Sequence, residues 1–200
     1  SSVKEEYPDS KTIDKILEIT PHKKSVNFIN IDTIDLSNYT KQNINTVKIV
    51  SRICKDIYGG EDPRGFSYNG KDYALIMEYR KIKNVCTPGI VLYDFDTGKT
   101  LDLIHPTNPS IPQKNWLPFI KDDKLYIVTD TNPHRIVEPD LETGECKIIS
   151  ETTNTFTDDY TRGSAGYIHV DDCYIGILHY RYGEVSYSHM IYAFEDKFPY

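Results

Sequence analysis

Asp62 and Arg64 stand two residues apart, Asn132-Pro133-His134-Arg135 follows further along the chain, and His179-Tyr180-Arg181 comes later still. If the chain brings these segments together, one carboxylate meets two histidines and two or three arginines. Guanidinium groups make paired, charge-assisted contacts to phosphate oxygens, so the combination suits an anionic ligand. Convergence depends on the elements that carry these residues.

Three two-residue turn signals, Asn69-Gly70, Asp122-Asp123 and Asp171-Asp172, recur 53 and then 49 residues apart within alternating apolar residues. The frames Phe66 to Tyr79, Phe119 to Asp130 and Tyr167 to Tyr180 each predict a hairpin. A second hairpin follows each one. Its turns are Asp96-Thr97-Gly98, Glu142-Thr143-Gly144 and, in a shorter frame, Glu195-Asp196. Two hairpins in about 50 residues make a four-stranded blade, so the expectation is an all-β β-propeller.

The residue seven places before each first-hairpin turn is polar: Asp62, Asn115 and Ser164. The first strand of a propeller blade lines the central channel, which predicts that these three positions share one mouth. Alternation places Arg64 on the face of Asp62. The second strand returns to the same end with Asn132 to Arg135 in one blade and His179 to Arg181 in the next. The structural alternative is a local Asp62–Arg64 ion pair with Asn115 as a turn cap.

The chain has 200 residues and a formal net charge of −7, with 16 Tyr and 7 Phe but one Trp. Aromatic, β-prone usage favours sheets. Lys and Arg are dispersed, which argues against a nucleic-acid or anionic-membrane surface. No apolar stretch has membrane-span length, and polar, acidic Ser1 to Ser10 is not a signal peptide, so a cytoplasmic location is favoured. Cys54, Cys86, Cys146 and Cys173 have no close pair and read as free, mostly buried thiols. The histidines lack metal-ligand spacing, so neither a metal nor a cofactor is expected. Asn38-Tyr39-Thr40 is the sole acceptable glycosylation sequon.

Residues 1–45 read as an N-terminal segment and partial blade, and 46–200 as propeller blades. Lys11 to Ile19 has the spacing of a short helix. Ser25 to Ile31 and Thr46 to Ile53 read as strands separated by polar Ser37 to Asn45. Three blades and a partial one are fewer than a sealed ring usually needs. Either the chain is a piece of a larger propeller or its ring closes by self-association.

Glu61-Asp62-Pro63-Arg64, followed by Phe66 and Asn69-Gly70, resembles a segment of the five-bladed propellers of the β-mannoside phosphorylases and related β-1,2-mannosyltransferases. Lys114-Asn115-Trp116-Leu117-Pro118-Phe119, Asn132-Pro133-His134-Arg135 and the run Leu141 to Cys146 look like a less characterised glycosyltransferase branch of that clan. The resemblance spans about Gly59 to Tyr200. It implies Asp62 as general acid and Arg64, Lys114, His134 and Arg135 as anion-binding residues. Arg162-Gly163-Ser164-Ala165-Gly166 departs from the family's Gly-Gly-Thr-Pro.

The implied chemistry is consistent with the charges. Glycosyl transfer develops negative charge on the leaving oxygen, so a proton-donating carboxyl such as Asp62 is required. A two-carboxylate glycosidase needs a second acid, but the in-register positions carry Asn115 and Ser164. Attacking phosphate, or a sugar-phosphate donor, explains a missing base; Glu61 is a rival carboxylate that alternation points away. Asn115, Ser164, His179 and Tyr180 complete the expected binding set, with Tyr79, Trp116, Tyr180 and Tyr182 able to stack on sugar rings or pack between blades. The expected activity is glycosyl transfer or phosphorolysis on mannosides, and the alternative is a non-catalytic glycan-binding propeller. A protein-interaction scaffold has less support, because the repeats lack Trp-Asp and Gly-His signatures.

Overall fold

The structure, a computed structural model, describes residues 27–35, 40–49, 60–82, 85–107, 109–153, 161–182 and 186–197. Among these there are thirteen β-strands and no helix. The expected helix at Lys11 to Ile19, Cys54 and the sequon's Asn38 lie outside the described residues.

The chain divides into two units, Ser1–Gly59 and Gly60–Tyr200. In the first, β1 (Asn27–Asp35) pairs antiparallel with β2 (Thr40–Ile49), with a register shift between Ile31 and Asp32. Strand β2 therefore runs through Thr40 to Asn45, which the polar composition suggested was a connection. Ladder bonds use the main chain, so that composition did not prevent pairing.

The second unit contains three antiparallel meanders. The first comprises β3 (Glu61–Tyr68), β4 (Lys71–Ile82), β5 (Val85–Asp94) and β6 (Thr100–Leu103), paired in that order. Strands β7 (Leu117–Lys121), β8 (Lys124–Thr131), β9 (His134–Pro139) and β10 (Cys146–Thr152) form the next. The third is β11 (Thr161–Val170), β12 (Cys173–Tyr182) and β13 (Ser186–Glu195). The first strands stand together, because β7 touches both β3 and β11. This is the blade arrangement of a β-propeller, with successive sheets fanning out from their first strands.

Turn chemistry sets the registers. Asn69 and Gly70 have φ of +50° and +72°, and Asp122 and Asp123 have +48° and +57°, as a type I′ hairpin turn requires. In the third hairpin Asp171 is left-handed at +53°. The second-hairpin loops also repeat. Asp94 Oδ1 accepts the amides of Asp96 and Thr97 at 2.8 and 3.0 Å, and Asp140 Oδ1 those of Glu142 and Thr143 at 2.8 and 2.9 Å. Each loop ends in a left-handed glycine, Gly98 or Gly144.

Packing follows the alternation of β8. Leu125 and Ile127 face the first blade, in a cluster with Leu75, Met77 and Leu92. Tyr126 and Val128 face the third, where they join Phe119, Tyr174 and Phe194. The middle sheet is thus buried on both faces, each large apolar side chain contributing about 1.5–3 kcal/mol. Cys146 belongs to the first cluster, where burial pushes its thiol up to about 11. Cys86, Cys146 and Cys173 are free.

Candidate functional site

Asp62 and Asn115 share more than their distance from a turn. Both are non-glycine residues in the left-handed region, with φ of +51° and +62°. Asp and Asn tolerate that conformation better than other side chains. The Asp62 kink accompanies a register shift between Glu61 and Arg64, and Ser164 sits at one between Gly163 and Ala165. Such irregularities re-aim side chains at the end of a strand. Asp62, Asn115 and Ser164 all line one open cleft of about 510 Å3.

The cleft is strongly cationic. Arg64, Lys114, Arg162 and Arg181 line it, together with His179 and His189. Arg64 Nη2 donates to Asn115 Oδ1 at 3.3 Å, and Nη1 to the Pro63 carbonyl at 3.3 Å. Its Nε is buried with no hydrogen-bond partner among the described residues. Burial lowers the Arg64 pKa from its ordinary value, while the Asp62 charge works in the opposite direction. His179 and His189 are cross-strand partners with ring centroids 6.4 Å apart. Burial is the main cause lowering the His179 pKa, joined by the charges of His189, Arg64 and Lys114; Asp62 raises it.

Close approach between blades depends on Gly163. A Cβ there would lie 2.5 Å from the Asn115 carbonyl oxygen and 2.5 Å from Leu117 Cγ. Neither atom is the free end of a flexible chain. A side chain at this position would separate β11 from the residues entering β7.

A second cleft, about 400 Å3, adjoins the first and shares Asp62, Lys114 and Arg162 with it. Tyr79, Pro88, Ile111 and Pro112 give it apolar surface, and Asp130 reaches it from β8. The Asp130 carboxylate is heavily engaged: Oδ2 accepts from Arg135 Nη1 at 2.5 Å and Thr129 Oγ1 at 2.9 Å, and lies 3.3 Å from His105 Nε2. Burial works to raise the Asp130 pKa, but the His105 and Thr129 hydrogen bonds and the Arg135 charge outweigh it, so the group lies below the ordinary carboxylate value.

The expected anion cluster is not the one the structure assembles. Arg64 and Lys114 are in the cleft, but His134 and Arg135 are not among its lining residues. His134 is 4% exposed, with its ring 4.7 Å from Phe194 and 5.4 Å from Tyr192. Burial lowers its pKa to about 4. Arg135 turns to the opposite side of the sheet and bonds Glu151 Oε2 through Nε at 2.7 Å as well as Asp130. Tyr180 stacks on Tyr182 at 6.4 Å and lines neither cleft. Trp116 is 1% exposed and donates to Gln113 Oε1 at 3.2 Å, which is a packing role.

Arg162 and His189 were not assigned to the site from sequence, while Arg181 was expected at the mouth with His179 but given no binding role. The same period-2 step that joins Arg64 to Asp62 joins Arg162 to Ser164 and Arg181 to His179. His189 had no such local signal, because its place beside His179 comes from the pairing of β12 with β13. Among the described residues, no group of three or more His, Cys, Asp or Glu is placed to hold a metal ion. No helix among them is long and apolar enough to cross a membrane.

No protein-family model and no curated protein matches the chain. Among solved structures it is similar to one described as Bacteroides ovatus Xyloglucan PUL GH43B, at 14% sequence identity and a TM-score of 0.47. The match covers 70% of this chain and 27% of that one, so the chain spans about a quarter of the length of that protein.

Proposed function

We propose that this chain carries the site of a carbohydrate-active propeller that transfers a glycosyl group to or from phosphate, with mannosides as the substrate class. The supporting observation is the placement of Asp62 beside Arg64, Lys114 and Arg162 on one cleft. One carboxyl group can serve as acid while the cations hold a phosphate dianion. Asp130, the carboxylate on the adjoining wall, has Oδ2 bonded to Arg135, Thr129 and His105, contacts that hold its pKa below the ordinary value and make it a weak base for activating water. A phosphate nucleophile needs no such base. Its oxygen bonds to the anomeric carbon as the glycosidic C–O bond breaks; the electron pair leaves with the departing oxygen, which takes the Asp62 proton. The proton carried by the hydrogen phosphate restores the acid. Mannosides are chosen because of the resemblance of Glu61-Asp62-Pro63-Arg64.

The exposure of Asp62 favours a second reading, a glycan-binding propeller without turnover. An exposed carboxylate accepts hydrogen bonds from sugar hydroxyls without any transfer taking place. Incubating the chain with a β-mannoside, with and without phosphate, separates the two. Phosphate-dependent appearance of mannose 1-phosphate supports transfer. Binding without turnover under either condition establishes the glycan-binding reading, and phosphate-independent release of free mannose refutes both.

A further inference from the structure

Strand pairing in the third blade puts the basic side chains of the larger cleft in order. Arg162 of β11 is in register with His179 of β12, and His179 with His189 of β13. Residues directly opposite one another in antiparallel strands share a face, so these three form one row across the sheet. With strands about 4.8 Å apart, the row is about 10 Å long. Arg181 lies two residues beyond His179, opposite Tyr187, and adds a second guanidinium about 7 Å along the strand on the same face. At its Arg162 end the row meets the neighbouring blades, where β11 approaches the Asn115 carbonyl at Gly163 and Asn115 Oδ1 accepts from Arg64. The charges of Arg64 and Lys114 act on the His179 ring, so the two ends belong to one field.

Four fixed cations, Arg64, Lys114, Arg162 and Arg181, share this cleft with one carboxylate, Asp62. Arg162 gives one N–H to the Thr161 carbonyl at 2.8 Å, which leaves the rest of its fork for a ligand. A single phosphate group carries about −1.5 to −2 charges at neutral pH. Seated against Arg64, Lys114 and Arg162, such a group leaves Arg181 and the histidine pair facing open cleft. Two phosphoryl groups joined through an oxygen match both the excess of positive charge and the length of the row.

We propose that this cleft binds a diphosphate group, one phosphoryl held by Arg64, Lys114 and Arg162 and the other by Arg181 with His179 and His189. The assignment rests on the proposed phosphate site and deepens it: the phosphate-bearing ligand is free diphosphate or a diphosphate ester. Arg181 is the residue that sets this preference, because it serves the second phosphoryl alone.

The test titrates the full chain calorimetrically with orthophosphate and inorganic diphosphate, in metal-free buffer at matched ionic strength. Diphosphate should bind about tenfold or more tightly than orthophosphate. Arg181→Gln should remove most of that advantage and leave orthophosphate affinity within about twofold, Arg181→Lys should recover part of it, and Arg162→Gln should weaken both ligands. Lys99→Gln, which removes one positive charge from an exposed turn of the first blade, should change neither. Uridine diphosphate set against uridine monophosphate identifies the source: a similar gain assigns a diphosphate ester, and a gain confined to the inorganic ion assigns free diphosphate. Equal affinities for orthophosphate and diphosphate, or an advantage that survives in Arg181→Gln, overturn the second position and leave the phosphate site standing. An advantage reduced as much by Lys99→Gln as by Arg181→Gln is diffuse attraction and overturns it as well. Failure of the wild type to bind either anion overturns the phosphate reading and this proposal with it.

Discussion

The Arg64 guanidinium donates to Oδ1 of Asn115 across 3.3 Å, so a side chain from the first strand of one blade is held by the residue that opens the next. Asn115 can accept it because its backbone is left-handed at φ +62°, as is that of Asp62 at +51°. Two repeats have thus placed a strained backbone at the same distance from the same turn. Strain of this kind persists where surrounding structure over-determines it, commonly at binding sites.

Asn115→Gly and Asn115→Ala should therefore separate side chain from backbone. Both remove the acceptor for Arg64, but only alanine adds the left-handed penalty, about 1–2 kcal/mol. Urea unfolding should find Asn115→Ala less stable than Asn115→Gly by about that amount, while both lose phosphate affinity. Equal stabilities would mean that φ at Asn115 relaxes at no cost.

Phosphate should raise the melting temperature by mass action, beyond what chloride does at matched ionic strength. Arg162→Ala should remove most of this shift. Arg135→Ala should lower the baseline melting temperature, because it strands the Asp130 carboxylate, yet leave the phosphate-induced increment intact. A phosphate increment lost in Arg135→Ala and retained in Arg162→Ala would reverse the assignment.

Much of this arrangement was legible from local rules. Asn69-Gly70 and Asp122-Asp123 announce turns because their residues accept positive φ, and alternation then sets which neighbours share a face. The shared cleft of Asp62, Asn115 and Ser164 needed only the common distance to those turns. His134 and Arg135 were harder. Alternation says that they face opposite sides of β9, but which side meets Phe194 and which meets Asp130 is decided by the neighbouring blades, not by β9 itself. The polar stretch of β2 was equally silent, since main-chain pairing leaves no apolar signature.

His134 should make the protein acid-sensitive. Its folded pKa of about 4 lies below the ordinary 6.5, so the unfolded chain binds a proton that the native state refuses. The contribution is fully present above pH 6.5 and is lost as pH falls toward 4, by roughly 3 kcal/mol in total. Urea midpoints from pH 7.5 to 4.5 should fall more steeply for the wild type than for His134→Leu. Parallel curves would place the sensitivity in another group.

Gly163→Ala should cost stability and ligand binding together. The added methyl meets the Asn115 carbonyl and Leu117 Cγ at 2.5 Å, and overpacking of this sort costs about 1–3 kcal/mol. Gly65→Ala is the comparison, because a Cβ there finds only the Tyr73 carbonyl oxygen at 4.0 Å. If the two variants melt alike and bind phosphate alike, the approach of β11 to Asn115 is not a constraint on the cleft.

Asp62→Asn is the decisive substitution for chemistry. Asparagine accepts φ of +51° as readily as aspartate does, so the kink at the start of β3 should survive. Arg64 should keep its place too, since it donates to the Pro63 carbonyl and to Asn115 Oδ1, and neither bond needs the Asp62 carboxylate. The variant loses the proton donor and one negative charge from a cleft rich in cations. Phosphate should therefore bind at least as tightly as to the wild type, while mannoside phosphorolysis should fall by about 100-fold or more, the usual scale of a positioned general acid. A single-turnover assay at saturating phosphate keeps the change in affinity from masking the change in rate. Retained turnover would remove Asp62 from the reaction and leave Glu61, which lines the adjoining cleft, as the remaining candidate acid. A large drop in melting temperature would show instead that the carboxylate holds the blade junction together, the structural role that the Asp62–Arg64 spacing first suggested.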